Sequence, residues 1–208
     1  MRKIKGEAKR AAKKPSRQEK IGHLHTALTY VKNFRFAIDV GAHVGNWTRV
    51  MAERFEYVVA FEPLASNQAR WRRHMEGVEN VELVCAAVGD ENVMTRLQDE
   101  THSKHYCIKD DAGDVEMLRL DDWLDKNYAD PIDLDFLKVD TEGADALVLR
   151  GAEKVIRRCR PVVIVESVPR FEARFGLSEG APMKYLEELG AVRVAEIWRD
   201  YIYVFPPR

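Results

Sequence analysis

The densest chemical signal in the chain is Ala37-Ile38-Asp39-Val40-Gly41-Ala42-His43-Val44-Gly45-Asn46-Trp47-Thr48, an apolar run that ends in a carboxylate and passes into a glycine-containing turn. A buried strand that enters such a turn and then a helix places a ligand at the strand's carboxyl end. Gly41 lets the backbone approach the ligand, and Gly45 lets the helix start lie against it. Asp39 suits an ammonium group, while the amides that open the helix, from Ala42 and His43 to Asn46, suit a carboxylate. An amino-acid zwitterion meets both demands. The dinucleotide fingerprint would need glycine at His43, and the Gly-Lys-Ser/Thr ending of a phosphate loop is missing, so a nucleoside without phosphates fits better.

Glu62 follows Asp39 by twenty-three residues and ends a second apolar run, Val58-Val59-Ala60-Phe61-Glu62-Pro63. A carboxylate in that place can accept hydrogen bonds from both ribose hydroxyls. Together the two segments describe S-adenosylmethionine. Asp140, with Glu142 just beyond it, ends a later strand, and Glu166 ends the next, so these three are the candidate catalytic carboxylates facing the crevice. A sulfonium methyl is already electrophilic, which leaves the protein to align the acceptor and remove its proton. Asp140 is the first candidate for that base; Glu142 and Glu166 could instead bond backbone amides or basic partners. The same carboxylates could hold Mg²⁺, but the convergence of oxygens that a hard cation needs is not visible in sequence, and the expectation is that no metal is required. His102, His105 and Cys107 lack a second cluster to complete a zinc site, so they read as part of an exposed substrate loop. His23 and His25 read as ordinary helix positions, and the tryptophans as packing.

These residues need a scaffold, and the apolar periodicity supplies one. Ile21, Leu24, Leu28 and Val31 predict an amphipathic helix over 21–32. Strand-like and helical stretches then alternate: strands at 36–40, 57–61, 81–88, 134–139 and 161–165, with helices between them, including one from Ala144 to about Arg158. Five parallel strands follow from this alternation. The polar region from Thr95 to Asp114, with the turn signal Asp110-Asp111-Ala112-Gly113-Asp114, predicts a hairpin or a lid over the site. A helix near 183–189 precedes two runs, Ala191 to Trp198 and Tyr201 to Phe205, divided by Arg199-Asp200 and predicting an antiparallel terminal hairpin.

Four blocks in this order resemble the FkbM-type methyltransferases. They are Asp39-Val40-Gly41-Ala42-His43-Val44-Gly45, then Ala60-Phe61-Glu62-Pro63 with Asn67, then Leu118-Arg119-Leu120-Asp121-Asp122. The last is Leu137-Lys138-Val139-Asp140-Thr141-Glu142-Gly143, followed by Val148-Leu149-Arg150-Gly151 and Arg160-Pro161 through Glu166. The resemblance implies a Rossmann-like class I methyltransferase fold, an α/β architecture. Its seven-stranded, mostly parallel sheet ends in an antiparallel C-terminal hairpin and carries helices on both faces. It also implies O-methylation of a sugar, polyketide or other small molecule. By resemblance Asp39, Gly41 and Gly45 hold the methionine end, Glu62 with Pro63 the ribose, and the stretch from Ala86 through Ala87 and Val88 to Asp90 the adenine; Asp140 borders the same pocket. Asp145 stands where the family more often has Glu.

Composition narrows the setting. The chain has 208 residues and a formal charge of -1, but nine Lys or Arg and two Glu fall within residues 1–20, a local +7 that leaves -8 elsewhere. Residues 1–20 read as a solvated, disordered tail, and residues 21–208 as one methyltransferase domain. An acidic body argues against a general nucleic-acid binder. No apolar run is long enough to span a bilayer, and three scattered cysteines fit a reduced, cytoplasmic setting. The expected partner is a small-molecule hydroxyl acceptor. Two rivals are a nicotinamide-dependent oxidoreductase, opposed by His43, and a non-catalytic module that binds the cofactor without turnover. Methylation of nucleic acid or protein ranks below these, because no Asn-Pro-Pro-Tyr motif is present.

Overall fold

The computed structural model describes residues 15–99, 106–109 and 114–207. Helix α1 (Arg17–Leu28) leads into β1 (Phe36–Val40), α2 (Asn46–Ala52), β2 (Tyr57–Phe61), α3 (Ala65–His74) and β3 (Val81–Val84). Four short strands come next: β4 (Ala87–Gly89), β5 (Val93–Asp99), β6 (Tyr106–Lys109) and β7 (Val115–Arg119). After α4 (Leu120–Asn127) the alternation resumes with β8 (Leu134–Val139), α5 (Asp145–Gly151), α6 (Glu153–Cys159) and β9 (Val162–Glu166). The described chain ends through α7 (Pro169–Glu172), α8 (Ala181–Glu188), β10 (Val192–Ile197) and β11 (Asp200–Val204).

The main sheet has seven strands in the order β10-β11-β9-β8-β1-β2-β3. The run from β9 to β3 is parallel, β11 is antiparallel to both its neighbours, and the predicted seven-stranded sheet with its terminal hairpin is what forms. Buried parallel strands must be apolar on both faces, and every residue of β1 is buried. Phe36, Ile38 and Val40 pack on one face with α4, α5, α6 and α8 through Leu124, Leu149, Ile156 and Leu186. On the other face Ala37 and Phe136 meet Leu24 and Leu28 of α1 and Met51 of α2. The strand order changes direction where β1 lies between β2 and β8, and ligands of such sheets bind at the carboxyl ends of the strands at that point.

Several boundaries differ from the sequence reading, each for a physical reason. Helix α1 begins at Arg17 rather than Ile21, because Ser16 and Glu19 form a reciprocal capping box. Lys20 therefore belongs to the helix and not to a tail; residues 1–14 lie outside the described residues. The run 81–88 is two strands, since β3 pairs with β2 while β4 crosses to β7 in a separate four-stranded sheet, β4-β7-β5-β6. The helix expected at 144–158 is interrupted at Ala152, which ends α5 and caps α6. The terminal turn is Trp198-Arg199 rather than Arg199-Asp200: Trp198 takes the positive φ, +61°, and Asp200 is buried in β11. Among the described residues no helix is long and apolar enough to cross a membrane.

Candidate active site

A cavity of about 520 Å³ opens at the carboxyl ends of β1, β2 and β8. The turn from Val40 to Val44, with Asn46 and Trp47, forms one wall; Glu62, Pro63 and Asn67 form a second. Lys138, Asp140, Thr141 and Glu142 come from the end of β8, Ala86, Ala87 and Val88 from the start of the small sheet, and Pro15, Ser16, Lys20 and Ile21 from the start of α1. Most residues expected at the site are thus brought together. Asp39, Gly45, Asp90 and Glu166 are not among the lining residues.

Asp39 is fully buried and does not line the cavity. Its Oδ2 accepts from Thr48 Oγ1 at 2.6 Å, and its Oδ1 lies 2.9 Å from Lys138 Nζ. The ammonium it attracts is internal. The glycines likewise serve protein contacts: a Cβ on Gly41 would stand 2.0 Å from the Asp140 carbonyl oxygen, and one on Gly45 would stand 2.7 Å from Trp71 Cδ1. Both have left-handed backbones, φ +76° and +83°. Gly41 lets the loop pass against the end of β8, and Gly45 lets α2 start against α3.

Glu62 is held as a fixed acceptor. Its Oε2 accepts from the His43 amide at 2.8 Å, and its Oε1 from the Leu64 amide at 2.9 Å and from Asn67 Nδ2 at 3.2 Å. A carboxylate offers about four acceptor sites, so capacity remains on the side facing the cavity. Burial pushes its pKa up, opposed by the three hydrogen bonds. His43 reaches this place with φ +54°, an unusual conformation for a side chain larger than glycine.

The three candidate catalytic carboxylates converge: Asp140, Glu142 and Glu166 each offer an oxygen within 4.8 Å of the others, a set that could also ligate a hard divalent cation. Lys20 Nζ stands against it, 3.4 Å from Asp140 Oδ2 and 3.5 Å from Glu166 Oε1. Burial and the Asp140 charge push Glu166 up to about 9, so it keeps its proton at neutral pH. Burial opposes the Asp140 charge as well, but Lys20 and Lys138 outweigh it and hold Asp140 below the usual carboxylate range. Lys20 is raised in turn, since Asp140, Glu166 and Asp200 overcome its desolvation. Behind the cluster, Asp145 accepts from the amides of Thr141 and Gly143, and burial together with Asp140 pushes it up to about 7. Thr141 Oγ1 is buried without a hydrogen-bond partner among the described residues.

Asp90 stands apart, paired with Arg150 at 3.8 Å, so of the stretch expected against adenine only Ala86, Ala87 and Val88 line the cavity. None of the described residues of 95–114 lines the cavity; the small sheet uses this segment as antiparallel strands, and His102 and His105 fall outside the described residues. Lys20 and Lys138 are the functional candidates that the sequence reading missed. The capping box Ser16-Arg17-Gln18-Glu19 was the available signal for Lys20. His23, expected as an ordinary helix position, is buried, with Nδ1 2.5 Å from Asp200 Oδ2, and fastens α1 to β11.

A family model described as the methyltransferase FkbM domain matches residues 39–194. No curated protein sequence matches the chain. Among solved structures, the FkbM methyltransferase of Methylobacillus flagellatus KT is 16% identical with a TM-score of 0.52; the match covers 84% of this chain and 45% of that one, so this chain spans under half of that protein's length. The N-methyltransferase NodS of Bradyrhizobium japonicum WM9, in complex with S-adenosyl-L-homocysteine, is 10% identical with a TM-score of 0.53, covering 92% of this chain and 87% of that one. An rRNA methylase of Streptococcus thermophilus is 15% identical with a TM-score of 0.52, covering 88% and 93%. At such identities the likeness is one of fold.

Proposed function

The chain belongs to the FkbM methyltransferase domain family, and from that premise we propose that it transfers a methyl group from S-adenosylmethionine to a hydroxyl oxygen of a sugar or another small molecule. S-adenosylmethionine is the cofactor of this methyltransferase class, and the residues present fit it. The cavity volume falls in the range of about 300–1,000 Å³ usual for small-molecule sites. The observation that carries the reading is Glu62: a carboxylate fixed by two amides and Asn67 at the end of β2, with acceptor capacity toward the cavity, suits a ribose diol. Ala86, Ala87 and Val88 offer an apolar wall for a base, and Thr141 Oγ1 an unused polar atom beside the acceptor side.

When bound, the cofactor supplies an electrophilic methyl on a sulfonium. The protein's own part is to orient the acceptor, exclude water and accept a proton. Of the three converging carboxylates, Asp140 and Glu142 line the cavity and Glu166 does not. We assign the base to Glu142, which reaches the cavity two residues beyond Asp140. Asp140 and Glu166 flank it, each with an oxygen within 4.8 Å of one of its own. The free thiols Cys85 and Cys159 fit a reduced, cytoplasmic setting.

Calorimetric titration of S-adenosylhomocysteine, with NAD as control ligand, tests the reading. Wild type should bind S-adenosylhomocysteine and ignore NAD, and Glu62→Gln should weaken binding by about 1–3 kcal/mol without changing the circular dichroism. Failure of wild type to bind, or binding of NAD in its place, ends the methyltransferase reading. Turnover across a panel of sugar and phenolic acceptors should then vanish in Glu142→Gln; cofactor binding with no product from any acceptor would favour a non-catalytic module.

A further inference from the structure

We infer that Lys20, with Asp140, forms the subsite for the amino-acid end of the cofactor, Lys20 receiving the α-carboxylate and Asp140 the α-ammonium. The inference rests on the methyltransferase reading and names a residue outside the span matched by the family model. Four observations carry it.

The first is position. Lys20 and Asp140 both line the cavity, and their side chains remain 25% and 24% exposed, so the pair is open to a ligand on one side. The second is charge. An ammonium and a carboxylate 3.4 Å apart form the mirror image of an amino-acid zwitterion. A ligand of that kind adds two further charge-assisted contacts without leaving either protein group unpaired. Asp140 is held ionised and Lys20 protonated by their neighbours, so both carry the charge that the pairing needs.

The third is exclusion. Asp39, the other carboxylate at the end of β1, is buried against Thr48 and Lys138, and Lys138 is itself committed to Asp39 and to the carbonyl oxygens of Val40 and Gly41. Asp39 does not line the cavity, and Lys138, which does, already has its charge matched by Asp39. The fourth is spacing. Glu62 ends β2 and Asp140 follows β8, with β1 between them. Two strand intervals separate the ribose acceptor from the zwitterion pair by roughly 10 Å, a reach suited to a nucleoside that carries an amino-acid arm.

Lys20 is brought there by the capping box that starts α1 and by the His23–Asp200 contact that anchors the helix to β11. The subsite is thus assembled from the first helix and the fourth strand of the parallel alternation, elements far apart in sequence.

The test compares two ligands on the whole 208-residue chain: S-adenosylhomocysteine, and 5′-methylthioadenosine, which has the same nucleoside and lacks the amino-acid end. Lys20→Met should weaken S-adenosylhomocysteine by about tenfold or more and leave methylthioadenosine unchanged, and Lys20→Arg should recover part of the loss. Equal weakening of both ligands assigns Lys20 a merely structural role and overturns the inference, as does no change in either. If wild type binds neither ligand, the methyltransferase reading falls first and takes this one with it. If wild type binds S-adenosylhomocysteine and Lys20→Met binds it equally well, only the subsite is wrong.

Discussion

Lys138 Nζ lies 2.9 Å from Asp39 Oδ1, and the two residues are register partners on adjacent parallel strands. Their side chains are 5% and 0% exposed, so this is an ion pair inside the sheet rather than at its surface. Lys138 also donates to the carbonyl oxygens of Val40 and Gly41 at 3.0 Å and 2.7 Å. Desolvation opposes its charge, but Asp39 and Asp140 prevail and raise its pKa. The pair ties the glycine turn to the strand that leads into Asp140, which makes it a support of the site.

Removing one partner of such a pair leaves a buried charge uncompensated. Lys138→Met should lower unfolding stability by about 3–5 kcal/mol, whereas Asp39→Asn with Lys138→Met should cost clearly less than the sum of the two single changes. Urea unfolding of the four proteins closes the cycle. Additive losses would show that the two groups do not depend on one another.

Gly41 tolerates no side chain. Alanine there combines a left-handed φ of +76° with a Cβ 2.0 Å from the backbone oxygen of Asp140. Gly41→Ala should displace the turn from β8, lowering both melting temperature and affinity for S-adenosylhomocysteine. Wild-type affinity in this variant would mean that the close approach of turn and strand is not needed.

Stability should fall as pH rises from about 5 to about 9. Glu166 is raised to about 9 and Asp145 to about 7, so each binds a proton more tightly folded than unfolded, and that stabilisation is lost as pH rises through the folded value. Asp140, held low, contributes a loss only in acid, and Lys20, held above its ordinary 10.5, a loss only in alkali. Glu166→Gln keeps the shape of the protonated acid. It should flatten the slope and melt higher than wild type at pH 9 in thermal scans. Burial raises Glu62, Asp121 and Asp200 with the same sign, so some slope remains. An unaltered slope in Glu166→Gln would contradict the assignment of its proton.

His23 fastens the helix that delivers Lys20. His23→Ala removes the contact with Asp200 and leaves that carboxylate buried. Amide exchange across residues 17–28 should accelerate severalfold while the strands β1, β2 and β8 stay protected. Unchanged exchange in the helix would mean that Leu24, Ala27 and Leu28 hold it by packing alone.

The sequence by itself determined the alternation of buried strands and helices, the place of the crevice at the ends of β1, β2 and β8, and the residue types around it. Periodicity and turn chemistry are local, so Gly41, Glu62, Pro63, Asp140 and Glu142 could be assigned to one site from their positions at strand ends. What each side chain meets was decided only by the tertiary structure. Asp39 had the right type and spacing for a ligand, yet parallel pairing sets it beside Lys138, a register that no local pattern encodes. Lys20 lies 120 residues from Asp140 in sequence, and only the packing of α1 on the sheet brings the two together. The proton on Glu166 follows from burial and from the charge next to it, both of which exist only once the chain has folded.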